Sequence, residues 1–208
     1  MEDVIQTYLL PYDPSHPVVC FDEACKQLFG EVRPALPSRP GSPAKQDYEY
    51  ERKGVCNQLM MCEPLRGWRH VKVSRRRTRR DYAGCLKDLV DVHYPHAKKI
   101  KLVQDNLNTH DGASLYETFH PEQARRILDK IEWHYTPKHG SWLNMAETEI
   151  SVLSRQCLSG RFDCQAQVVR QVEPWEKDRN ARKVRIHWTF TIAAARKKLS
   201  KVYPSIED

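Results

Sequence analysis

Two aspartates stand where compact apolar runs end: Asp22 closes PVVCFD (17–22), and Asp105 follows KLVQ in KKIKLVQDN (98–106). An acid at the carboxyl end of a buried strand lies at the rim of a sheet, where the sites of α/β proteins collect. A third acid comes from the segment SWLNMAETEISVLSRQCL (141–158). Its apolar stripe is Leu143, Ala146, Ile150, Leu153 and Cys157, and Glu147 and Glu149 lie on opposite edges of it. At about 100° per residue each stands roughly 80° from the centre of the stripe, so spacing leaves both open. Three carboxylates brought to one rim repel one another, a cost that divalent metal between them removes. Two such ions about 3.5–4 Å apart activate a water or hydroxyl and stabilise the leaving oxygen in phosphodiester chemistry. A lone Asp at a strand end is more often a turn or cap residue; the pair brings the two readings level.

The elements that must position these acids can be read from period and punctuation. Residues 17–22 form a buried strand, and 33–43, rich in proline, form a loop. Residues 54–63 and 69–73 make two more strands, with a turn near Pro64–Gly67. Thr78 caps a helix with Asp81 three residues on, and Tyr82, Cys85, Leu86, Leu89, Val90 and His93 follow at helical spacing until Pro95. After the strand at 98–106, residues 113–130 read as two helical pieces divided at His120–Pro121. A short strand at 131–135 and the helix at 141–158 complete the core. Mixed strands with helical crossovers imply an α/β sheet covered by helices.

The chain has 208 residues and a net charge of +7, enough for one ordinary domain with its own core. Residues 66–80 hold seven Arg and one Lys with no acid, and 182–201 hold seven basic residues with no acid, so the remainder is acidic. Two basic segments on an acidic body favour a polyanion over a merely solvated face. No run of 18 or more apolar residues is present, and the first residues lack the long apolar core of a secretory signal. The seven cysteines include no Cys-x-x-Cys pair, which reads as reduced, mostly core thiols in a cytoplasmic protein.

Three blocks, VVCFDE (18–23), QDNLNTH (104–110) and HYTPKHGSWLNMAE (134–147), resemble the catalytic domain of DDE-type transposases. The similarity is to the bacterial insertion sequence six-thirty family of the mariner-like superfamily, and RNARKVRIHWTFTIAAARKKL (179–199) resembles that family's closing segment. The resemblance runs from about Met1 to Tyr203. It implies a ribonuclease-H-like mixed sheet with helices on both faces, and metal-dependent strand cleavage and strand transfer on double-stranded DNA, typically into TA targets. The matched triad is Asp22, Asp105 and Glu147, holding two Mg²⁺ or Mn²⁺: Asp22 bridging both, Asp105 on one and Glu147 on the other. The spacing from Asp105 to Glu147 is longer than expected for mariner relatives, and the excess falls around 113–130.

Around this triad, Glu23 and Glu149 are neighbouring acids with a minor chance of assisting. Asn106 and Asn108 can orient Asp105 or meet the DNA backbone, while His110 and His139 are balanced between phosphate contact and a structural place. Lys138 and Ser141, with the N–H groups opening a helix at 141, make a phosphate cradle. Arg75, Arg76, Arg77, Arg79 and Arg80 suit non-specific phosphate contact, and Trp142 reads as core. The expected divisions are an N-terminal lead-in (1–16), a DDE core (17–165) and a C-terminal basic helical extension (166–208). Family members carry an N-terminal helix-turn-helix region; the expectation here is a separate helix-turn-helix polypeptide, homodimerisation in synapsis, and a nucleoid-associated bacterial protein. A catalytically idle DNA-binding or assembly remnant is the alternative. A nuclease acting on RNA–DNA hybrid or branched DNA is a third reading, disfavoured by the Ser-Trp-Leu-Asn-x-x-Glu block.

Overall fold

A computed structural model describes residues 1–33, 36–45 and 48–199. Pro34 and Ala35 of the proline-rich loop, and Lys201 of the basic tail with the rest of 200–208, lie outside the described residues. Five strands, β1 (Val18–Glu31), β2 (Tyr50–Glu63), β3 (Trp68–Ser74), β4 (Ile100–Gln104) and β5 (Ile131–Tyr135), form one sheet in the order β3-β2-β1-β4-β5. The first three are antiparallel neighbours, and β4 and β5 run parallel to β1. Among the described residues, seven α-helices accompany them: α1 (Glu2–Tyr8), α2 (Arg79–Asp88), α3 (Ala113–Tyr116), α4 (Pro121–Leu128), α5 (Met145–Gln156), α6 (Gln165–Ala181) and α7 (Ile192–Lys198).

Alternation along the strands separates two cores. Val19, Phe21, Leu59, Met61, Ile100 and Leu102 face α2, α3 and α4. Cys20, Met60, Cys62 and Val103 face the other way, against α1, α5, α6 and α7. Helices therefore cover both faces of a mixed sheet, as expected. Local signals explain much of this. Thr78 and Asp81 form a reciprocal capping box that starts α2, which widens into a π turn at Leu89–His93 and ends before Pro95. His120–Pro121 separates α3 from α4, with Pro121 in the first turn where its missing N–H costs nothing.

Four expectations need correction. Residues 1–16 are more than a lead-in, because α1 buries Val4 and Ile5 completely in the second core. The strands β1 and β2 are each 14 residues long, not six and ten; their polar distal halves are held by ladder pairing rather than by burial. The helix expected at 141 begins at Met145, because Asn144 caps it and Ser141–Leu143 form a 3₁₀ turn. Arg69, counted in the basic run, is 1% exposed. All seven cysteines are free, as expected, with Cys20, Cys56, Cys62 and Cys85 buried.

Arg69 belongs to an internal ion cluster that fixes α5. Its Nε lies 3.2 Å from Glu149 Oε2, and Arg179 of α6 donates to Glu149 Oε1 at 2.8 Å. The remaining Arg69 donors reach the carbonyls of Gly67 (3.0 Å) and Val184 (2.6 Å). Glu149 is thus tied to β3, α6 and the chain after α6, facing inward with Met145, Ala146 and Leu153. Removing a buried partner leaves uncompensated charge, so Glu149→Ala is expected to cost about 3–5 kcal/mol. Glu147→Ala, partly exposed, should stay within about 0.5 kcal/mol. Urea unfolding of both variants checks the contrast; equal stabilities would mean that the cluster does not hold α5.

Candidate active site

The register of the two central strands brings the first two acids together. Cys20 pairs with Val103 in the parallel ladder, so two residues further on Asp22 and Asp105 stand side by side, on the face that carries Cys20 and Val103. Asp22 is not at a strand end, contrary to expectation, because β1 continues to Glu31. The rim arises because β4 stops at Gln104 and leaves the edge of β1 open. Asn144, at the start of α5, closes the third side: its Nδ2 donates to Phe21 O at 2.8 Å and to Asp22 Oδ2 at 3.2 Å. Glu147 follows one turn later, on the partly exposed flank of α5.

Charge strain marks the meeting point. Burial pushes the Asp22 carboxyl up to about 7, and the negative charges of Asp105, Glu147 and Glu23 add to that, against the Glu23 N–H that Asp22 accepts. Asp105 moves the other way: its hydrogen bond with His110 holds it below the ordinary carboxylate range, and the charges of His110 and Arg77 help. His110 is buried; burial alone would lower it, but its bonds to Asp105 (2.5 Å from Nδ1) and Glu23 (2.7 Å from Nε2) raise it to about 9. At neutral pH the ring is therefore an imidazolium donating from both nitrogens. Among the described residues, no group of three or more His, Cys, Asp or Glu side chains is placed to hold a metal ion.

The other expected site residues divide. His110 has both ring nitrogens engaged and is structural, not a phosphate contact. Glu149 is committed to the ion cluster in the core. Asn106 and Asn108 are exposed, and no hydrogen bond among the described residues joins either side chain to Asp105. Arg75, Arg76 and Arg80 are exposed. With Arg79 and Lys53 they line a cleft of about 1420 Å³. Arg79 is partly spent on Glu117 and the Asn108 carbonyl (3.0 Å). Arg77 lies 3.5 Å from Glu23 Oε1 and so links the basic loop to the acids, which do not line that cleft. Lys138, His139 and Ser141 are exposed beside the site, with His139 in the left-handed region at φ 62°. The cradle of N–H groups expected at Ser141 belongs to the 3₁₀ turn rather than to α5. Trp142 is not core: it is 48% exposed and leans on Phe190. Asn144 was missed, although Asn-x-x-Glu before an apolar run is a capping signature.

A family model for the DDE superfamily endonuclease matches residues 17–169. The chain belongs to the DDE superfamily endonucleases. Among solved structures, this DDE endonuclease chain is similar to the Mos1 transposase paired-end complex with left transposon end. The two share 15% identity with a TM-score of 0.55, over 82% of this chain and 52% of that one. It is also similar to the Mos1 mariner paired end complex with Mn, at 16% identity and a TM-score of 0.53, over 81% and 52%. The Mos1 strand transfer complex gives 15% and 0.52, over 82% and 51%. These likenesses establish a ribonuclease-H-like fold, and this chain spans about half the length of the solved chains it matches. Comparison with curated proteins gives no match. Among the described residues, no helix is long and apolar enough to cross a membrane.

The raised Asp22 carboxyl has a consequence for stability. Unfolded, it loses its proton near 3.8, and folded near 7. Between those values the unfolded chain binds fewer protons, so stability falls as pH rises. Asp22→Asn removes that loss. It is expected to be about 1–2 kcal/mol more stable than the unaltered chain at pH 8, after solvent screening, and no more stable near pH 4. Urea unfolding at the two pH values measures this; no gain at pH 8 would mean that neither burial nor the neighbouring carboxylates disfavour the charged form of Asp22.

Proposed function

We propose that the chain is the catalytic part of a DNA transposase, cleaving and transferring strands with Asp22, Asp105 and Glu147 as metal ligands. The observation that carries this reading is the half-buried Asp22, which feels the charges of both Asp105 and Glu147. Three carboxylates from β1, the end of β4 and α5 offer an all-oxygen donor set, which suits Mg²⁺ or Mn²⁺. Bound there, a divalent ion supplies an activated water or 3′-hydroxyl and a stabilised leaving oxygen. Asp105 is oriented in advance by His110, and Asn144 steadies Asp22 while starting the helix that carries Glu147. To hold a divalent ion, Asp22 must lose its proton to solvent, so affinity should rise as pH passes through about 7.

The exposed Arg75, Arg76 and Arg80 along the cleft serve DNA phosphates, together with the exposed Lys138, His139 and Ser141. The Mos1 complexes with a transposon end and with Mn support DNA and divalent metal as partners here. Two ions, pairing with a second copy, a helix-turn-helix partner chain and a place on the bacterial nucleoid complete the reading. So do the divisions 1–16, 17–165 and 166–208, although α6 and α7 pack into the same core as α5.

Supercoiled-plasmid nicking with Mn²⁺ is expected for the unaltered chain and should fall about 100-fold or more in Asp105→Ala, with DNA affinity in EDTA unchanged or higher. Equal nicking by both would sink the assignment; DNA binding without nicking by either would favour the idle assembly module. Replacing Arg75, Arg76 and Arg80 together with Ala should weaken all DNA sequences alike and reduce the salt slope of log K by roughly 2–3. A loss confined to one sequence would mean that these arginines read bases.

A further inference from the structure

We propose that Glu23 is a positioning residue: acting through His110, it fixes the Asp105 carboxylate for metal, and Arg77 ties this pair to the basic loop. The inference rests on the reading of Asp105 as a metal ligand.

Glu23 is next to Asp22 in sequence but points to the opposite face of β1. Its side chain is 5% exposed, and Oε2 lies 2.7 Å from His110 Nε2. Among the described residues its Oε1 is buried without a hydrogen-bond partner, and Arg77 Nη1 lies 3.5 Å from it. A buried carboxylate half-satisfied in this way costs free energy unless it serves its neighbours. The neighbour it serves is His110, whose other nitrogen reaches Asp105 Oδ1 at 2.5 Å.

His110 has little freedom of its own. Its ring lies between Phe21 (centroids 5.1 Å) and Tyr82 (4.8 Å). Its carbonyl accepts from Gln104 Nε2 at 2.8 Å, and Gln104 Oε1 accepts from Tyr82 Oη at 2.7 Å. The 105–110 loop is thereby pinned at both ends, and the imidazole becomes a rigid spacer between two carboxylates. Asp105, 41% exposed, owes its bearing to that spacer. A carboxylate–histidine pair behind a ligand is the ordinary means of orienting it. Glu23 cannot itself be a ligand in this arrangement, because one oxygen is engaged by His110 and the other is enclosed on the far side of the strand.

The test is Mn²⁺ uptake by the full chain, followed by electron paramagnetic resonance, with circular dichroism to confirm folding. Glu23→Ala is expected to weaken uptake about tenfold, at an unchanged number of ions bound. Glu23→Gln keeps the volume and an acceptor for His110, and should stay within about threefold of the unaltered chain. His110→Ala should match Glu23→Ala, and the double variant should be no weaker than His110→Ala alone, because the two act in series. Unchanged uptake in Glu23→Ala, additive losses in the double variant, loss of a whole ion, or Glu23→Gln as weak as Glu23→Ala would each overturn the inference alone. Should Glu23→Ala fail to fold, the comparison of Glu23→Gln with His110→Ala decides in the same way. No uptake by the unaltered chain would overturn both this inference and the metal reading beneath it.

Discussion

Burying a carboxylate at the open edge of β1, with the repulsion of its acidic neighbours added, pushes Asp22 up to about 7. Everything near this edge works with or against that one constraint. His110 neutralises part of the charge by spanning Asp105 and Glu23, and Arg77 approaches Glu23 from the basic loop. The result is an asymmetric set: Asp105 is ionised and held, whereas Asp22 is strained and ready to lose its proton to a stronger competitor. A divalent cation is such a competitor, because it replaces one proton's charge with two.

Adjacent acids in the chain are kept apart by the periodicity of their elements. Asp22 and Glu23 fall on opposite faces of a strand, one toward α5 and one toward His110. Glu147 and Glu149 fall about 200° apart around a helix, one on the flank near Asp22 and one inside the Arg69–Arg179 cluster. The inward member of each pair holds part of the site in place: Glu149 sets the rotation of α5, which carries Glu147, and Glu23 backs the loop that carries Asp105. Doubled acids in this sequence are therefore divisions of labour, not redundancy.

How far the sequence revealed this depends on the range of the interaction. The capping box at Thr78, the break at His120–Pro121 and the apolar runs of β4 and β5 are local, and they were legible. So was the meeting of two acids at a rim, although the reason differed: β4 ends, while β1 runs on. The distal halves of β1 and β2 were not legible, because Glu23–Gln27 and Arg52–Gly54 carry no alternating apolar pattern; the ladder pairs Glu23–Gln27 with Val55–Leu59 and Phe29–Glu31 with Tyr50–Arg52. The choice between Glu147 and Glu149 was undecidable from spacing, since it depends on arginines 80 and 30 positions away from Glu149. Trp142 misled because aromatic content suggests burial, yet a 3₁₀ turn before the Asn144 cap turns it outward.

The basic run at 66–80 shows why charge counted along a sequence overstates what a polyanion can meet. Arg69 is fully inside, Lys72 pairs with Asp88 at 2.9 Å, Arg66 lies 3.7 Å from Glu63, and Arg79 is drawn onto Glu117. These cations hold β3, α2 and the 105–112 loop in place by neutralising acids of the body. The strand geometry forces this split: within β3 successive side chains alternate between the two cores, with Trp68 against the first and Val71 in the second, whereas after Ser74 the chain leaves the sheet and its arginines turn to solvent. Arg75, Arg76 and Arg80 are the part of the run whose charge remains on the surface. Arg77 stands between the two groups, close enough to Glu23 for the basic loop and the acids to be held as one unit.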